Sequence, residues 1–124
     1  NISKKDQKRL KTIDEFFKGK ISSKSFSEKN LNKIFYYKGK QSLIDILSFK
    51  IFTSRKIDTK LLKLIEEFKV KNLPSMPVEA KFLMEKYNIP EGKTLGNKLR
   101  DIEEEWVNND FNLSDKQIDK IINR

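Results

Sequence analysis

The residues best placed to meet a charged ligand lie in one run, Asn88-Ile89-Pro90-Glu91-Gly92-Lys93-Thr94-Leu95-Gly96-Asn97-Lys98-Leu99-Arg100. A helix beginning near Gly92 exposes unpaired backbone N–H groups at the positive end of its dipole. Gly92 and Gly96 keep side-chain bulk away, so a phosphate can approach the backbone closely. Lys93, Lys98 and Arg100 add positive charge nearby. A turn of this kind holds nucleic acid by its backbone without reading bases. A plain Pro-Gly turn between two packed helices, with Gly96 there for close helix contact, accounts for the same residues.

A second run, Phe35-Tyr36-Tyr37-Lys38-Gly39-Lys40, has Lys33 just upstream. Lys38 and Lys40 are candidates for phosphate contact, and Tyr36 or Tyr37 for stacking on bases or ribose. Phe35 and one of the tyrosines are expected in the core. Lys50, Arg55 and Lys56 fall at the end of a helix, where cations oppose the dipole favourably without any ligand. Lys4, Lys5, Lys8, Arg9 and Lys11 read as the solvated outer side of an amphipathic helix. Glu103-Glu104-Glu105 does not read as a metal site, because consecutive helical residues point about 100° apart. Trp106 reads as a core anchor.

Composition narrows the chemistry further. The chain has no cysteine and no histidine, which removes disulfides, thiolate or imidazole metal ligands, cysteine nucleophiles and histidine bases. Its eight Asp include no Asp-x-Asp pair, and its four Gly form no phosphate-cradling loop motif. No catalytic and no metal-binding residue is therefore expected in this chain. At 124 residues it suits one domain, or one compact unit with a small helical appendage. With 36% hydrophobic content and nine Phe, a thin core is expected.

The formal charge of +9 is unevenly placed. Residues 1–73 carry 19 Lys+Arg against 8 Asp+Glu, a balance of +11, whereas residues 74–124 carry 8 against 10, a balance of −2. The asymmetry points to a polyanionic partner on the first segment. The 23 Lys to 4 Arg, with many Asn and Ile, also fit an AT-rich coding sequence, an alternative source for part of the basicity. No stretch approaches the roughly 20 apolar residues of a membrane span, and no signal peptide is evident. The opening at Asn1 suggests an excised or processed chain; a cytoplasmic location and no membrane partner are expected.

Helical periodicity dominates and β-alternation is nearly absent. The first helix is expected after Ser3, with Leu10, Ile13, Phe16 and Phe17 on one face, ending at Gly19. Ser25 and Glu28 have capping-box spacing and should open a helix that buries Leu31, Ile34 and Phe35, closed by Gly39 as a left-handed cap. A third helix is expected over Lys40–Ser54 with Leu43, Leu47 and Ile51 inward. Asp58 should cap a fourth, with Ile57 and Leu62 as a hydrophobic staple and Leu61, Leu64, Ile65 and Phe68 buried. Pro74 and Pro77 mark a boundary. Helices over Val78–Tyr87, closed by Asn88, and from Gly92 to about Asn108 follow, the latter with Leu95, Leu99, Ile102 and Trp106 inward. Ser114 and Gln117 should box the last helix, which docks through Ile118, Ile121 and Ile122. The expectation is an all-α chain of about seven helices, with a helical body over 1–73 and a small C-terminal tail over 74–124.

Several of these segments together resemble a known family. Met76-Pro77-Val78-Glu79-Ala80-Lys81-Phe82-Leu83-Met84, then Ile89-Pro90-Glu91-Gly92-Lys93-Thr94-Leu95-Gly96-Asn97-Lys98-Leu99, then Glu103-Glu104-Glu105-Trp106 resemble the C-terminal signature of bacterial CCA tRNA nucleotidyltransferases and their poly(A) polymerase relatives. Tyr37-Lys38-Gly39-Lys40 with Asp45-Ile46-Leu47 is similar to an upstream segment of the same proteins. The sequence departs from the pattern at Glu79, Ala80 and Phe82, where the family has a capping Thr, a Gly and an Asp, and at Asn88, where Gly is usual. The resemblance implies a non-catalytic body and tail that grip tRNA, or the 3′ region of another RNA. The catalytic head would lie N-terminal in the same polypeptide and hold the Mg²⁺ and nucleoside triphosphates. The RNA-contacting set it supports is Lys38, Lys40, Gly92, Lys93, Gly96, Lys98 and Arg100, with no cofactor in this region. A general helical nucleic-acid module and a basic protein-interaction scaffold are the alternatives that the composition leaves open.

Overall fold

The structure, a computed structural model, describes residues 2–124. Among them are seven α-helices, one short 3-10 turn and no strand. The chain divides into two compact units, Asn1–Leu73 and Pro74–Arg124.

In the first unit α1 spans Lys4–Lys18, α2 Glu28–Lys38, α3 Lys40–Thr53 and α4 Thr59–Val70, with the 3-10 turn over Ser23–Phe26. Ser3 caps α1 by accepting from the Asp6 N–H, and Asp58 caps α4 by accepting from the N–H groups of Lys60 and Leu61. The expected Ser25–Glu28 box does not form. Ser27 is the cap of α2, accepting from Asn30 N–H, while the Ser25 hydroxyl accepts from Ser22 N–H inside the 3-10 turn. The serine-rich stretch offered several caps of equal quality, and the turn took the first of them. Gly39 joins α2 to α3 at φ +92°, ψ 163°. That is a positive-φ conformation suited to glycine, but it is not the left-handed helical cap expected.

Helix α3 lies at the centre of this unit, with α1, α2 and α4 all packed on it. Leu31, Ile34, Phe35, Leu43, Ile46, Leu47, Leu61, Ile65 and Phe68 are buried. The expected staple fails: Ile57 is 81% exposed and Leu62 44%. Helix α1 has no buried residue, and its expected core residue Leu10 is 55% exposed. It is held instead through Ile13, Phe16 and Phe17, which are half-buried, and through Arg9. Phe17 meets Phe49 of α3 at 4.9 Å between ring centroids.

In the second unit α5 spans Ala80–Tyr87, α6 Lys93–Asn108 and α7 Asp115–Ile122. Helix α5 starts two residues later than the periodicity suggests, with Glu79 at its N-cap position and no capping side chain. Asn88 closes it in the left-handed region at φ 54°. Leu83, Leu95, Ile102, Ile118 and Ile121 form one cluster, with Met84, Tyr87, Leu99, Leu113 and others packed around it. Trp106 and Val107 are buried as well, and Phe111 packs edge-on against Trp106 at 5.1 Å. Ser114 and Gln117 form the expected capping box of α7. Asp110 and Phe111 both adopt positive φ after α6, a conformation that non-glycine residues rarely take. No helix among the described residues is long and apolar enough to cross a membrane.

Candidate nucleic-acid interface

The structure places the sequence-derived candidates in two groups, one in each unit. In the second unit Gly92 sits at the N-cap of α6 with φ +143°, and no side chain caps that helix. The first N–H groups of α6 therefore receive no acceptor from an N-cap side chain. Gly96, one turn into the helix, is exposed, and a methyl group built at its Cα would meet no atom within 4 Å. Close helix contact is therefore not what Gly96 provides. Lys93 and Arg100 are exposed. Lys98 differs: it is half-buried, and its ammonium donates to the Ile121 carbonyl at 3.2 Å. That satisfies one of the open carbonyls at the end of α7 and opposes the helix dipole.

In the first unit Lys38 ends α2 and is exposed. Lys40 opens α3 half-buried, and its ammonium donates to the Lys69 carbonyl near the end of α4 at 2.9 Å. Lys40 and Lys98 thus do the same job, each holding the C-terminal turn of a neighbouring helix. An ammonium has three donors, so this contact does not exhaust either group. Tyr36 and Tyr37 meet edge-to-face at 5.0 Å, with Tyr36 half-buried and Tyr37 53% exposed. Lys33, Arg55 and Lys56 are exposed. The Lys50 ammonium lies over the Phe26 ring, 5.7 Å from its centroid.

Arg9 belongs to a group that sequence patterns alone do not reveal. Instead of lying on a solvated face, its guanidinium grips Asp45 with two hydrogen bonds of 2.9 Å, and Gln41 donates to the same carboxylate at 2.9 Å. Asp45 is 8% exposed in the middle of α3. The Arg9 hydrogen bond holds the Asp45 carboxyl below its usual range, against the opposing effect of burial. Nothing local signals this pair, since 36 residues separate its members. In the second unit Tyr87 donates to Asp119, which pushes the phenol up to about 12. Of the three consecutive glutamates, Glu104 is exposed while Glu103 and Glu105 are half-buried, and Glu105 pairs with Arg124. Among the described residues no group of three or more acidic side chains is gathered as a metal site.

Chemically, the α6 start can accept an anion on backbone N–H groups with Lys93 and Arg100 alongside. The first unit offers dispersed ammonium groups over a helical surface. No family model, curated protein or solved structure matches this chain.

Proposed function

We propose that this chain is the tRNA-holding region of a nucleotidyltransferase of the CCA-adding or poly(A) polymerase type, with nucleotide addition carried out by a head region of the same polypeptide. The observation that carries the reading is the bare start of α6. There an uncapped helix end, a positive-φ Gly92 and an exposed Gly96 with open space before it leave the backbone reachable. A packing role would set a neighbouring element against the Gly96 Cα, and a methyl group built there meets nothing within 4 Å. Phosphate binding explains both glycines. The net charge of +11 over residues 1–73 supports the same reading, because a polyanion is drawn to such a surface. A region serving many tRNAs should grip shape and phosphates rather than bases.

The test is equilibrium binding of the chain to tRNA, to a DNA duplex of equal length and to anionic vesicles across a salt series. Preference for tRNA with a steep salt dependence is expected. Replacing Lys93 and Arg100 together by alanine should weaken binding and flatten the slope by roughly 0.7–0.9 for each phosphate no longer neutralised. Lys98 is left alone because its ammonium holds α7. An unchanged slope removes the α6 start from the interface. Equal affinity for duplex and tRNA replaces the reading with a general nucleic-acid module, and binding to vesicles alone replaces it with a basic interaction surface.

A further inference from the structure

Phe52, in the last turn of α3, is 87% exposed, more than any other aromatic ring among the described residues. Neighbouring rings are occupied: Phe17 rests on Phe49, and Phe26 carries the Lys50 ammonium. No ring or cation among the described residues engages Phe52. Beside it lies an open recess of about 560 Å³, lined also by Ile2, Leu10 and Phe49, within the ~300–1,000 Å³ typical of small-molecule sites. A flat ring therefore has room to lie against Phe52. Asp6 lines the recess too, so an anion entering it would meet a carboxylate, whereas an uncharged ring would not.

Two cations follow this ring in the connection from α3 to α4, Arg55 and Lys56, both exposed. Cations after a helix commonly serve its open carbonyls, but here other groups do that. The Thr53 hydroxyl donates to the Phe49 and Lys50 carbonyls at 3.0 and 3.2 Å, and the Ser54 hydroxyl to the Lys50 carbonyl at 2.7 Å. The Ser54 N–H donates to the Ile51 carbonyl at 3.2 Å. Neither the Arg55 nor the Lys56 side chain has a hydrogen-bond or ion-pair partner among the described residues.

A free ring followed by free cations suits a single-stranded nucleic acid, in which every nucleotide offers one flat face and one negative charge. A bilayer surface is served less well. Phe52 and Ile57, the exposed apolar side chains on either side of the two cations, would bury less than one myristoyl chain, whose own membrane binding is marginal. We infer that the α3–α4 connection holds one unpaired nucleotide of the bound RNA, its base stacked on Phe52 over the recess and its neighbouring phosphates on Arg55 and Lys56. The inference rests on the RNA-holding reading and extends it, adding one stacked base to a grip otherwise made on phosphates.

The experiment follows the anisotropy of labelled oligoadenylate, of an abasic ribose-phosphate strand of equal length and of tRNA with the full chain across a salt series, and co-sedimentation with phosphatidylserine vesicles. Phe52→Ala should weaken oligoadenylate binding roughly five- to a hundredfold, the scale of one base–aromatic stack, at an unchanged salt slope, and should leave the abasic strand unaffected. Phe52→Trp should restore the affinity, which a merely structural defect would not allow. Replacing Arg55 and Lys56 together by alanine should instead flatten the slope by roughly 0.7 for each phosphate released from a single strand. All three side chains are exposed, so the substitutions leave the packing of the unit alone. Equal loss on the abasic strand, or oligoadenylate binding indifferent to Phe52→Ala, would overturn the inference. A Phe52→Ala defect confined to the vesicles would overturn it as well and assign the connection to a lipid surface. Binding of tRNA that depends on Lys93 and Arg100 but not on Phe52 overturns the stacked base alone. Phe52-dependent binding of oligoadenylate without binding of tRNA keeps the stacked base and overturns the tRNA assignment, and binding of neither overturns both.

Discussion

Replacing Gly96 by alanine sets stability against binding in one substitution. Gly96 is the fourth residue of α6, where glycine is roughly 0.8–1.0 kcal/mol less favourable than alanine. The added methyl meets nothing within 4 Å, so no steric cost offsets the gain. The second unit should therefore be stabilised by nearly the full propensity difference, roughly a 7–9 °C rise in its unfolding midpoint for a unit of this size. The methyl also leans toward the helix N-terminus, as every helical Cβ does, and so toward the place where an anion would sit on the open N–H groups. Affinity for tRNA should accordingly fall several-fold while thermal stability rises. Calorimetry or circular dichroism reads the stability, and anisotropy of labelled tRNA reads the affinity. A more stable variant with unchanged or tighter tRNA binding would refute the backbone-approach role of Gly96. A less stable variant would refute the claim that the space before it is open.

Three further outcomes follow from the remaining interactions. Asp45→Asn keeps the shape of the buried side chain but weakens its charge-assisted bonds, and should cost the first unit about 1–2 kcal/mol in urea unfolding. Because Arg9 holds the Asp45 carboxyl below its usual range, the stabilisation it gives should be fully present above about pH 4 and lost as pH falls through the lowered value; Asp45→Asn should abolish that acid dependence. Tyr87 is pushed up to about 12, against an ordinary phenol near 10. The second unit should therefore lose stability as pH rises between these values and not below them, and Tyr87→Phe should remove the effect, with phenolate absorbance of the folded chain as the check. Glu79→Ser should add about 0.5–1 kcal/mol, read by thermal unfolding, by supplying the missing cap of α5, since the backbone at Glu79 is already extended at φ −105°, ψ 159°.

What the sequence made legible was local. A helix with a single good cap has that end legible in its sequence: Ser3 for α1, Asp58 for α4, and the Ser114–Gln117 box for α7. Where several serines competed, between Ser22 and Ser27, spacing could not choose among them. Glycine spacing marks helix ends, but that Gly39 takes a positive-φ backbone other than the left-handed helical cap depends on the direction in which α3 leaves it. Apolar spacing found the cores of α2 and α6 and overestimated that of α1, because one helix stripe has no means of showing that its partner face is small. Leu10 is exposed for that reason. The candidate lysines were legible as a set but not individually. Only the structure separates Lys93 and Arg100, which are exposed, from Lys40 and Lys98, each of which reaches a carbonyl more than 20 residues away.

The charge pattern can be weighed more finely once the two units are distinct. A coding bias toward lysine acts on a whole gene, so by itself it should enrich both units alike. Lysine instead makes up 17 of the first 73 residues and 6 of the last 51, while acidic residues run the opposite way, 8 against 10. Both units are helical and both have thin cores, so a difference in fold class does not account for the contrast. Internal pairing does not account for it either. Lys11 and Lys18 meet Glu15 and Asp14 one turn away on an exposed helix, the kind of pair that adds little to stability. Lys33, Lys38, Arg55 and Lys56 are exposed on the more basic unit, where their mutual repulsion works against the compact state. A polyanionic ligand would relieve that repulsion on binding, as the proposed tRNA-holding role expects.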